Sequence, residues 1–77
     1  MEDLIKLLVK PLVTDARTIK VTSEKNQDQI KFTLWVPQTD IAKVIGRGGK
    51  MIKAIKNLLK IRAIKENVFV ELEVKEA

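Results

Sequence analysis

All three glycines of this 77-residue chain fall within four consecutive positions, Gly46-Arg47-Gly48-Gly49. Glycine lets the backbone take positive φ and lets another group approach without a Cβ in the way. A chain that keeps every glycine for one place must make a tight connection there. Before it, Ile41, Val44 and Ile45 recur at helical spacing. After it, a second helical pattern begins near Lys50 and runs to about Ile64. Ile52, Ile55 and Leu59 fall on one side of that helix beside Met51 and Leu58, with Lys53, Lys56, Asn57 and Lys60 on the other. The loop joins two helices.

The remaining patterns supply one more helix and three strands. Leu4, Ile5, Leu8 and Leu12 form a helical stripe, with Asp3 as the expected N-cap and Pro11 either kinking the helix or starting one further turn. Residues 17–24 alternate, placing Ile19, Val21 and Ser23 on one face. A polar turn at residues 25–28 leads into Ile30, Phe32, Leu34 and Val36, and the pair reads as a hairpin. Pro37 ends the second strand, and Gln38 or Thr39 is expected to cap the short helix that follows, with Asp40 near its positive end. Asn67, which tolerates left-handed backbone, closes the second loop-flanking helix. Val68, Val70, Leu72 and Val74 then alternate as a third strand. The order is α-β-β-α-α-β. It predicts a two-layer α+β domain, a three-stranded sheet covered on one face by three helices.

Composition narrows the chemistry. The chain has no cysteine and no histidine, which removes disulfides and makes zinc or haem sites improbable, so no metal or cofactor is expected. With Ser23 as the one serine and the carboxylates scattered, no nucleophile–base pair can be drawn and no enzyme is expected. Apolar runs reach three or four residues where a membrane span needs about 20. The acidic start, Met1-Glu2-Asp3, is unlike a secretory signal. A cytoplasmic domain without membrane insertion is the expectation.

Charge is segregated. Lys43, Arg47, Lys50, Lys53, Lys56, Lys60, Arg62 and Lys65 carry more than half of the chain's 15 basic residues, and no acid interrupts them. Such a surface suits a polyanion. The helix that begins at the loop adds unsatisfied N–H groups and a partial positive charge, and Arg47 adds a guanidinium fork matched to phosphate. The other phosphate loops do not fit. A Walker loop would need a glycine at position 44, and the dinucleotide pattern G-x-G-x-x-G fails at Met51 with no strand before Gly46.

The stretch Val44-Ile45-Gly46-Arg47-Gly48-Gly49-Lys50-Met51-Ile52-Lys53 resembles the KH-domain signature I-G-x-x-G-x-x-I-K at Ile45, Gly46, Gly49, Ile52 and Lys53. The element order resembles the type II KH fold, with two strands before the glycine loop and one after. In length and layout the chain is similar to the small bacterial KH proteins of the KhpA (YlqC) family. Lys10-Pro11-Leu12-Val13 and Lys43-Val44-Ile45-Gly46 extend that similarity, which covers essentially residues 1–77 as a single KH domain.

The resemblance implies a clamp on about four single-stranded nucleotides, with bases read in an adjacent groove. Gly46, Arg47, Gly48 and Gly49 would hold phosphates, supported by Lys43, Lys50 and Lys53, while Ile41 and Ile45 would line the groove. RNA is the implied ligand, with single-stranded DNA also within reach of the fold. The resemblance further implies a homodimer or association with a larger KH-containing, KhpB-like partner. The implied role is that of an RNA chaperone or post-transcriptional regulator linked to cell envelope growth and shape. The competing readings are a KH-shaped protein-interaction module and a basic peripheral membrane-surface protein.

Trp35 and Phe69 both fall on the sheet face opposite the apolar one. On neighbouring strands they would form an exposed aromatic patch suited to a protein contact. On that face they are not expected to stack bases.

Overall fold

A computed structural model describes residues 1–77. Its elements are α1 (Glu2–Val9), β1 (Lys20–Asn26), β2 (Gln29–Val36), α2 (Gln38–Ile45), α3 (Lys50–Lys65) and β3 (Phe69–Glu76). The sheet order is β1-β2-β3, with β2 antiparallel to β1 and parallel to β3. This is the expected α+β architecture in the expected order.

The core follows from strand alternation. On β2, Phe32, Leu34 and Val36 are buried and point to one face, where Leu72 joins them from β3. Ile5 and Val9 of α1, Val44 of α2, and Ile55 and Leu59 of α3 close over that face. Val9, absent from the expected stripe, is fully buried. On α3, Ile55 and Leu59 are buried one turn apart, with the partly buried Ile52 packed against the same cluster. The other face of the sheet is left open to solvent.

Local chemistry sets several boundaries differently from expectation. The Asp15 carboxylate accepts from Arg17 N–H (2.9 Å) and the Asp15 carbonyl from Thr18 Oγ1 (2.6 Å). These bonds hold Ala16–Thr18 as a 3₁₀ turn, so β1 begins only at Lys20. The hairpin is also tighter than residues 25–28. β1 extends to Asn26, paired with Gln29, and Gln27 turns the chain at φ 56°. α1 starts at Glu2, so Asp3 lies in its first turn and caps nothing. Pro11 sits inside a 3₁₀ turn, Lys10–Leu12, which continues the chain past α1 by the further turn. α2 begins at Gln38 after Pro37 with no side-chain cap, and Asp40, the one acid in its first turn, is engaged elsewhere. Asn67 takes φ 56° and closes α3, as expected. No helix is long and apolar enough to cross a membrane.

Candidate nucleic-acid interface

The glycine loop is held by backbone geometry alone. Gly46 N–H donates to Ala42 C=O (2.9 Å) and ends α2, and Gly49 N–H donates to Gly46 C=O (3.2 Å). Gly46, Gly48 and Gly49 all have positive φ, at 78°, 63° and 77°. The requirement differs between them. A Cβ on Gly46 would meet the Met51 Cβ at 2.6 Å and its N at 2.9 Å, so this glycine lets α3 start against the end of α2. Around Gly48 and Gly49 there is open space. The loop's outer side is therefore free for a ligand to approach.

α3 begins at Lys50 with Gly49 as N-cap, and neither a capping side chain nor an acid fills its first turn. The Lys50 N–H donates to the Arg47 C=O within the loop, and the positive end of the helix dipole faces that loop, where it favours an anion. Arg47, Lys50 and Lys53 are exposed, and none of them is in a salt bridge. Lys43 differs, since its Nζ lies 3.5 Å from Asp40 Oδ1 while its side chain stays largely exposed. Ile45 reaches the surface beside the loop, whereas Ile41 is half-buried and packs against the core. The structure thus gathers the cations and glycines at one place and gives Ile41 more of a packing role than a lining one.

Asp40 is the one buried charged residue, 2% exposed. Burial pushes its carboxyl up. Hydrogen bonds from Thr14 Oγ1 (2.9 Å) and Thr14 N–H (3.3 Å), together with the Lys43 ammonium, outweigh that and hold it below the usual aspartate range. The pair ties the segment after α1 to the start of α2. Sequence reasoning placed Asp40 near a helix dipole but missed this partner, 26 residues away.

β3 forms the wall opposite the basic side of α3. An open cleft of about 660 Å³ runs between α3 and β3, a free edge of the sheet, with Lys56, Asn57 and Lys60 on its helix side. These continue the line begun by Lys50 and Lys53, at spacings of three and four residues along one helix side. The spacing was visible in the sequence. That β3 stands opposite was not, because it depends on strand order.

The two aromatics do not form one patch. Trp35 pairs with Lys75 in the sheet register and Phe69 with Gln29, six residues along β2, so they stand ~20 Å apart at opposite ends of the outer face. Trp35 is half-buried. Its Nε1 donates to Thr22 Oγ1 (3.4 Å), and the Lys75 ammonium sits 5.5 Å from its ring centre. Phe69, the first residue of β3, stands at the lip of the α3–β3 cleft.

Known proteins place the chain. The family model for the KhpA/KhpB KH domain matches residues 2–74. A protein of Clostridium perfringens named RNA-binding protein KhpA is 35% identical over 74 residues, spanning 96% of this chain and 99% of that protein. The RNA-binding protein KhpA of Chlamydia caviae is 36% identical over 76 residues (99% and 97%), and that of Listeria monocytogenes 34% over 74 residues (96% and 97%). These relatives are named for binding RNA and not for any enzymatic activity. The chain belongs to the KhpA/KhpB family of KH domains.

Proposed function

We propose that this protein binds single-stranded RNA, clamping the backbone of about four nucleotides at Gly46-Arg47-Gly48-Gly49. One observation carries the reading: the glycine loop delivers the uncapped N-terminus of α3 to an open surface beside three unpaired cations, Arg47, Lys50 and Lys53. Backbone N–H groups and cations recognise phosphate, which is the same on every nucleotide. Low sequence specificity follows, in keeping with a role as RNA chaperone or post-transcriptional regulator. The relatives named RNA-binding protein KhpA support the ligand. Titrating a short single-stranded RNA against the native protein and an Arg47→Asp, Gly48→Asp variant tests it. Unchanged binding by the folded variant would refute the clamp.

Self-association belongs to the same reading. Binding that is mostly electrostatic lies at roughly 10⁻⁴–10⁻⁶ M, and a second clamp on the same RNA raises avidity without new contacts. α3 carries a second apolar stripe turned away from the core: Met51, Leu58 and Ile61, with the last two 46% and 56% exposed. Their spacing of seven and three residues, with Ala54 between, is that of a helix–helix seam. It supports a second copy of this chain as the partner, or the KH domain of a larger relative with a matching stripe.

A further inference from the structure

β1 is an edge strand that the fold leaves bare. It pairs with β2 on one side, and no strand pairs with the other. Such an edge presents unpaired backbone N–H and C=O groups, and proteins usually guard it with proline, a bulge or a very short strand. β1 has none of these guards. It runs seven residues, Lys20–Asn26, in unbroken register with β2, and every residue but Val21 is exposed.

Its charges are also left over. On the outer face of the sheet Glu73 pairs with Lys31 and Lys75. Lys20 and Glu24 stand on the same face, opposite Trp35 and Lys31, and neither is in a salt bridge. Antiparallel pairing of β1 with a second β1, about a two-fold axis at Thr22, sets Lys20 of each copy opposite Glu24 of the other. Both pairs are satisfied at once, Thr22 faces its own counterpart, and Val21 meets Ser23 on the inner side. Opposite charges directly across two strands favour a register, and like charges oppose it. The overlap, residues 20–24, leaves out Lys25, the one charge on the inner side of the strand. A register about Ser23 would set Glu24 against Thr22 and Lys25 against Val21, pairing no charges.

We propose that the β1 edge is a second self-association surface, through which copies gathered on one RNA join edge to edge into a continuous sheet. The contact is isologous, the same patch on both copies. It uses no residue of the glycine loop or of the α3 stripe, so the three surfaces do not compete. One pair of strands is marginal in water, and the contact therefore forms where copies are concentrated rather than in dilute free protein. RNA as the concentrating scaffold rests on the clamp reading above, whereas the pairing of the strands does not. The consequence is cooperative binding along a long RNA by a protein whose single clamp is weak.

The chain has no cysteine, so a single introduced one reports its own neighbour. Directly opposed residues have Cα atoms ~4.5–5.5 Å apart, within disulfide reach, and diagonal neighbours at ~7–8 Å lie outside it. Thr22→Cys and Ser23→Cys, both at exposed positions, are oxidised as dilute protein, as concentrated protein and as dilute protein on polyuridine. Thr22→Cys is expected to link in the last two conditions, several-fold more than Ser23→Cys. No linkage in concentrated protein, or equal linkage of the two variants, overturns the edge contact. Linkage in concentrated protein but none on polyuridine overturns RNA as the scaffold instead. Charge reversal gives a second readout by fluorescence anisotropy, with each variant checked for fold by circular dichroism. Lys20→Glu and Glu24→Lys each set like charges against each other in a homotypic pair. Each alone is expected to bind a uridine tetramer as the native protein does and to lose cooperativity on polyuridine. Their equimolar mixture restores it, because the two variants complement one another. A mixture no more cooperative than its components overturns the proposal.

Discussion

A methyl group on Gly46 would lie 2.6 Å from the Cβ of Met51, the second residue of α3. The end of one helix and the start of the next are in contact across the loop, and the absence of a side chain permits it. Gly46→Ala must also hold alanine at φ 78°. Together, strain and overpacking are expected to cost about 2–4 kcal/mol, read by urea denaturation. Gly48→Asp meets open space at φ 63°, ψ 20°, a left-handed conformation that aspartate tolerates, and is expected to cost no more than about 1–2 kcal/mol. Equal losses at the two positions would contradict this division between packing and access.

Leu59 is fully buried where α3 meets the sheet. Leu59→Ala leaves a cavity beneath the helix that carries the site, and is expected to cost about 2–5 kcal/mol. For so small a domain that is a large part of the total, near 3–5 kcal/mol on general grounds. A thermal melt that shifts by only a degree or two would place Leu59 outside the core.

How much of this was legible beforehand depended on the range of the interaction. Alternation along Phe32, Leu34 and Val36 shows which face is buried, because a strand repeats every two residues whatever lies opposite. Pro37, the glycine cluster and Asn67 mark their breaks through their own backbone preferences. Several of the misses involve partners distant in sequence or a competing local bond. Asp15 captures the Arg17 and Thr18 donors and delays β1. Asp40 turns to Thr14 instead of serving its own helix. Trp35 and Phe69 share a face, but only the parallel register of β3 on β2 reveals that they stand at its two ends. Phe69 meets the basic side of α3 for the same reason, since β3 is the edge strand.

The Thr14–Asp40 tie makes a prediction in pH. The aspartate is held below its ordinary value of 3.8, so the stability it contributes is fully present above that value. It is lost as pH falls through the lower folded-state value. Thr14→Val removes the hydroxyl donor and lets burial act with less opposition. The variant is expected to be less stable than the native protein at pH 6, with the gap narrowing below pH 3.8. A gap independent of pH would show that the hydroxyl acts through packing and not through the carboxylate.

The exposed stripe on α3 predicts concentration-dependent association. Leu58→Glu with Ile61→Glu places like charges where two stripes would meet, on a surface that the core does not use. Sedimentation of the native protein is expected to show a dimer and that of the double variant a monomer. Affinity for a four-nucleotide RNA should be unchanged, because the stripe lies on a different side of α3 from Lys53, Lys56 and Lys60. Dimers that persist in the variant would move the interface elsewhere.

The most direct measurement of the central claim is the salt dependence of RNA binding by the native protein and by Arg47→Asp, Gly48→Asp. With about four phosphates engaged, log affinity against log salt should have a slope near −3 for the native protein, from ~0.7 per contact. The variant, folded by circular dichroism, should lose most of its binding, and the slope of what remains should be shallower. Native affinity and slope in the folded variant would contradict the account, because the RNA would then be held without the glycine loop.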